Sequence, residues 1–194
     1  MPATVSAGVL LYRRVNDDPG CAQLEVLLAH PGGPYWAKKD AGVWSIPKGE
    51  AEPDELGATP SASSEAWRRP PAVKPRLAAM QADLLAVAKR EFREELGFDP
   101  DALAAAGASY RPLGGIKQRG HKIVYAWALE GDCDAAAVTS LTFAMEWPPR
   151  SGRLATFPEV DRAAWFALRE AQEKLVVGQR RFIDDLAAVA AGGP

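Results

Sequence analysis

Arg90-Glu91-Phe92-Arg93-Glu94-Glu95-Leu96-Gly97 is the stretch on which the reading of this chain turns. On a helix, Glu91, Glu94 and Glu95 stand at i, i+3 and i+4, so three carboxylates share one side. Leu85, Ala88, Phe92 and Leu96 recur on a different side. Asp83 is placed to cap the start and Gly97 to supply a left-handed stop, so the spacing predicts a helix over residues 83–96. Three clustered carboxylates repel one another unless a cation neutralises them, and an all-oxygen set suits hard Mg²⁺ or Mn²⁺. The plain alternative is a solvated charged face, tied by Arg90 to Glu94 at i+4.

The upstream context decides between the two. Trp44-Ser45-Ile46-Pro47-Lys48-Gly49-Glu50 ends a short apolar segment, and Glu55 lies six residues after Gly49. Taken with residues 90–98, this resembles the Nudix box, a split pattern of Gly, five residues, Glu, seven residues and R-E-U-x-E-E-x-G-U, where U is bulky and apolar. The second half matches at every defined position, and the first half at Gly49 and Glu55. One departure stands out. Between Glu55 and Arg90 lie 34 residues where the pattern has seven, an excess of 27. Residues 56–82, proline-rich and without a sustained period, read as an insertion with a short helix near 76–81.

The resemblance implies an α/β/α sandwich with a mixed β-sheet, a single Nudix hydrolase domain over residues 1–194. It further implies Mg²⁺-dependent cleavage (Mn²⁺ as a substitute) of a diphosphate linkage in a nucleoside diphosphate derivative. On that basis Glu91, Glu94, Glu95 and the Gly49 carbonyl are the expected metal ligands. Glu91 is the expected base and Arg90 its orienting partner. Glu159, in the segment Glu159-Val160-Asp161-Arg162-Ala163-Ala164-Trp165-Phe166, is the expected additional carboxylate, with Glu146 as its alternative. Lys48 in Pro-Lys-Gly resembles family members that handle dinucleoside and other polyphosphates. Nucleoside or dinucleoside polyphosphates are therefore the leading substrate class. ADP-ribose or another nucleotide sugar is the close rival, and a non-catalytic nucleotide sensor is the reading from outside the enzyme class. Tyr110 and Pro112 leave that choice open.

Substrate contacts are read from the Gly/Pro-bracketed loop ahead of the box. There Tyr35 and Trp36 offer aromatic faces for stacking and Lys39, with Lys48, offers positive charge for phosphates. Trp44 divides evenly between stacking and core. Lys117, Arg119, His121 and Lys122 form a second basic group, either a phosphate contact or a solvated hairpin tip. Residues 146–150, Glu-Trp-Pro-Pro-Arg, read equally as a recognition loop or as sheet cover.

Composition narrows the remaining classes. The 23 Lys+Arg against 25 Asp+Glu leave a formal charge of −2, which argues against a whole-surface nucleic-acid binder. With two histidines and two cysteines, His30, His121, Cys21 and Cys133, a zinc site or disulfide framework is not indicated. No apolar run approaches the roughly 20 residues a bilayer needs, and the first residues show no secretory pattern. A cytoplasmic protein without membrane or nucleic-acid partners is the expectation. Further elements follow from pattern: strands at 4–12 and 23–29 joined by an Asp-Asp-Pro-Gly turn, a short strand at 43–46, and strands at 110–118 and 122–129. A loop at 145–158, a strand around Trp165-Phe166 and a closing helical region over 169–191, broken near Gly178, complete the reading.

Overall fold

The computed structural model describes residues 4–15, 23–52, 54–56, 75–118 and 120–191, with side chains from residue 78 in the helix that opens at 75. Its centre is β1 (Thr4–Arg14), buried on both faces through the run from Val5 to Tyr12. A near-continuous apolar strand of this kind can be satisfied only with layers above and below it. One edge of β1 pairs in parallel with β5 (Lys122–Glu130). The other edge is shared: β3 (Lys48–Glu50) pairs with Ser6–Gly8, and β2 (Leu24–Pro31) pairs with Tyr12–Arg14. With β4 (Arg111–Lys117) outside β5 and β8 (Val160–Ala167) outside β2, the mixed sheet runs β4-β5-β1-β2-β8, with β3 inserted beside β1.

Alternate residues of β1 feed two cores. Val5, Ala7, Val9 and Leu11 face α1 (Pro75–Leu96), meeting its Leu84, Val87, Ala88, Phe92 and Leu96, and the short α2 (Pro100–Leu103) follows α1. Leu10 and Tyr12 face the opposite layer, where α3 (Leu168–Lys174) and α4 (Arg181–Ala191) contribute Ala171, Phe182, Ile183 and Leu186. Each fully buried Leu or Phe stabilises by about 1.5–3 kcal/mol relative to exposure, so the two faces together fix the sandwich. It is an α/β/α sandwich on a mixed sheet. Among the described residues no helix is long and apolar enough to cross a membrane.

Several expectations need correction. The helix predicted over 83–96 begins at Pro75, so Asp83 lies inside it and the short helix expected near 76–81 is part of the same element. After Pro75 the sequence holds no Pro or Gly until Gly97, and its alanines and leucines favour continuation. Gly97 does end the helix, at φ +76°, with its N–H bonded to the Arg93 carbonyl. The strand predicted at 43–46 is reduced to isolated bridges at Trp44 and Ser45, and the ladder forms instead at β3. The region at 145–158 is not all loop: β6 (Thr142–Glu146) and β7 (Leu154–Pro158) make an antiparallel ribbon. The closing region is broken as expected, by a 3-10 turn at Val177–Gln179 between α3 and α4. The Asp-Asp-Pro-Gly turn, Cys21, Arg119 and most of the insertion lie outside the described residues. Cys133 is a free thiol.

Candidate active site

The site is assembled where β3 passes beneath the last two turns of α1. The sheet-facing side of α1 is apolar at Leu84, Val87 and Ala88, then turns acidic at Glu91 and Glu95. Those carboxylates therefore point into the sheet, not away from the apolar side as the spacing alone suggested. Gly49 in β3 is what admits Glu91, because a Cβ at this position would collide with the Glu91 carboxylate. The neighbouring Lys48 N–H donates to Glu95 Oε2 at 2.9 Å. Two consecutive residues of one strand thus receive two carboxylates of one helix.

Arg90 joins the halves of the motif. Its Nε and Nη2 donate to the two oxygens of Glu55 at 2.8 and 3.0 Å, a forked pair that spans the long separation in sequence. Its Nη1 donates to Glu91 Oε1 at 2.7 Å and to Glu94 Oε2 at 2.9 Å, while Nη2 also reaches the Glu50 carbonyl. Bonding to Arg90 pulls the Glu55 carboxyl below its ordinary range. Glu55 in turn holds the Arg90 guanidinium firmly protonated.

The inner carboxylates are short of positive charge. Burial pushes the Glu95 carboxyl up to about 7 against the pull of Lys48, with Glu91 and Glu159 adding repulsion. Burial also raises Glu91, only partly countered by Arg90, and Glu94 and Glu159 add to the rise. Lys48 is lowered by burial, against the pull of Glu95. Glu159 lies at the turn between β7 and β8, exposed, with its carbonyl accepting from Gly32 N–H. Among the described residues no three acidic, histidine or cysteine side chains converge tightly enough to hold an ion. Arg90 engages Glu91 and Glu94, and the Lys48 amide engages Glu95. The donor set still fits a hard divalent cation: it is all oxygen, and burial raises its inner members, with repulsion from neighbouring glutamates adding to the rise.

Comparison with solved structures agrees with this architecture. A binary complex of an Ap4A hydrolase from C. elegans superposes with a TM-score of 0.54 at 18% identity, over 97% of this chain and 98% of that one. The Nudix domain of Shewanella oneidensis NrtR, complexed with ADP ribose, gives 0.53 at 14% identity, over 98% and 90%. This chain has the Nudix fold. No family model matches the sequence, and no curated protein matches it.

Within this Nudix fold the substrate-side candidates separate into two groups. Tyr35 and Trp36 are exposed, and Lys39 Nζ sits 4.5 Å from the centre of the Trp36 ring. Tyr35 meets Trp147 edge-on at 5.2 Å, so the loop at 33–42 touches the ribbon β6–β7. Trp44 is core: it is buried, packs edge-on against His30 and Phe166, and donates to Asp40. Lys48 lies by the carboxylates, whereas Lys122 bonds Glu50 at 3.1 Å. Glu146 turns back on its own ribbon, accepting from Gly152 N–H. Sequence reasoning missed the buried bridge from His30 to Asp161. Its only traces are a polar residue closing the apolar run LEVLLAH and an acid two positions after Glu159.

Proposed function

We propose that this protein hydrolyses a diphosphate linkage in a nucleoside diphosphate derivative, with a nucleoside or dinucleoside polyphosphate as substrate. One observation carries the reading: Gly49 and Glu55 meet Glu91 and Arg90 although 34 residues separate Glu55 from Arg90. The two halves of the motif are brought together as a unit, which a merely charged helix surface does not require.

In this reading Glu91, Glu94, Glu95 and the Gly49 carbonyl hold Mg²⁺, or Mn²⁺ in its place. The bound ion supplies charge neutralisation for the phosphates and a lowered pKa for water. Glu91 accepts the proton of the attacking water, a role favoured by a carboxyl raised above its ordinary range. Arg90, anchored by Glu55, holds the Glu91 carboxylate in line. Glu159, whose charge adds to the rise of Glu91 and Glu95, provides an additional carboxylate. Lys48 offers charge to the phosphate chain, while Tyr35, Trp36 and Lys39 receive the nucleoside end. The Ap4A hydrolase likeness supports the polyphosphate class. ADP-ribose or a related nucleotide sugar is the second reading, favoured by the ADP ribose in the NrtR domain complex.

The test is a panel of nucleoside triphosphates, dinucleoside polyphosphates and nucleotide sugars with Mg²⁺ and with Mn²⁺, products identified by mass. Metal-dependent cleavage at a diphosphate linkage is expected. Binding across the panel without product would replace the hydrolase with a nucleotide sensor.

A further inference from the structure

His30 closes β2 and is fully buried, yet it is polar at both ends. Its Nδ1 lies 2.8 Å from Asp161 Oδ1, and its Nε2 lies 2.8 Å from the Lys39 carbonyl oxygen. A carbonyl can only accept, and an ionised carboxylate can only accept. Each ring nitrogen faces one of these oxygens, so the buried imidazole bridges the Asp161 carboxylate and the Lys39 backbone.

The position of this bridge matters. Directly after His30 the β2–β8 register shifts, Gly32 N–H bonds the Glu159 carbonyl, and the chain leaves the sheet. It returns at Lys39, whose carbonyl comes back to the same imidazole. Between these two points lie Tyr35 and Trp36, held by turn bonds from Trp36 N–H to Gly33 and from Lys39 N–H to Trp36. Asp161 is two residues from Glu159 and also meets Arg162 at 3.5 Å. The far end of the loop is pinned separately, where Asp40 pairs with Lys174 and accepts from Trp44.

We propose that His30 is a positioning residue that ties the aromatic loop to the start of β8, directly after Glu159, its imidazole bridging the Lys39 carbonyl and Asp161. The proposal rests on the reading of that loop as the substrate's seat. Loss of the imidazole frees the loop at Lys39, where it returns, while Asp40 still holds the residue after it. The substrate loop then loosens and the carboxylate cluster on α1 stays in place.

The experiment compares wild type with His30→Phe, which has no donor, and His30→Gln, which keeps one. Backbone hydrogen exchange in His30→Phe should accelerate over residues 33–39 and remain unchanged in α1. For a cleaved substrate, KM should rise about tenfold with kcat within about threefold, the size expected for one to two lost buried hydrogen bonds. His30→Gln should fall between. Unchanged exchange over 33–39, or KM and kcat lost together with folded protein, would each overturn the proposal. A wild type that cleaves nothing on the panel would remove the hydrolase reading alone, since the exchange still decides the role of His30.

Discussion

Glu95 shows how one residue can serve a site at the expense of the fold. Its carboxyl is raised to about 7 because burial beneath α1 outweighs the help of Lys48. An unfolded chain ionises the same group near the ordinary value of about 4.3. Between those two points the folded state binds more protons than the unfolded one, so metal-free stability falls as pH rises through that window. Glu95→Gln copies the neutral form. It should raise Tm by a few degrees at pH 8.5 and leave it unchanged at pH 4, by calorimetry without metal, while abolishing turnover. A lowered Tm at pH 8.5 would mean that the ionised carboxylate is a net stabiliser through Lys48. Gly49 is the complementary case, a residue valued for what it lacks. Gly49→Ala drives a methyl group into the Glu91 carboxylate. A loss of about 1–3 kcal/mol of stability is expected from such overpacking, with turnover lost even where the protein remains folded.

At the scale of elements, the link between the box loop and α1 is the forked pair of Arg90 and Glu55, each about a third or less exposed at 32% and 26%. A double-mutant cycle on Arg90→Gln and Glu55→Gln, read by urea unfolding, should return a coupling of about 1 kcal/mol, the upper part of the range for partly solvated pairs. Zero coupling would mean that the helix and loop are held by apolar contacts alone. This pairing was only half legible in the sequence. Residues 90–98 carry a local signal, because spacing on a helix is a short-range property, and Gly97 announces the stop. What spacing could not give was direction. Counting placed the glutamates on a side separate from the apolar stripe, whereas Gly49 removes the steric reason for keeping them out of the sheet. The start of α1 at Pro75 was missed for a related reason: prolines and small residues upstream mask the point at which helix-favouring residues take over. The ribbon β6–β7 was missed because it is largely exposed, with no fully buried residue to set an apolar alternation, and its Pro- and Arg-rich tip reads as loop.

At the scale of the whole molecule, a mixed sheet covered by helices is legible as a fold class, since a strand apolar on both faces demands two layers; the parallel pairing of β1 with β5 is not. The order of the strands is not, because it depends on which edges meet once the helices have packed. The same architecture sets how metal and stability are linked. Charge that repels within the folded protein, at Glu91, Glu94 and Glu95, is released on unfolding, so a cation that binds only the folded arrangement stabilises by mass action. At a hundred times its dissociation constant Mg²⁺ should contribute about 2.7 kcal/mol. For a chain of 194 residues that corresponds to a rise in Tm of roughly 5–10 °C. The rise should be present at pH 8 and largely lost at pH 5.5, where Glu95 holds a proton that an ion must first displace. It should be absent at both pH values in Glu94→Gln, and a chelator should reverse it in the wild type. An equal rise in wild type and Glu94→Gln would place the cation elsewhere on the molecule and take the three carboxylates out of the proposed metal site.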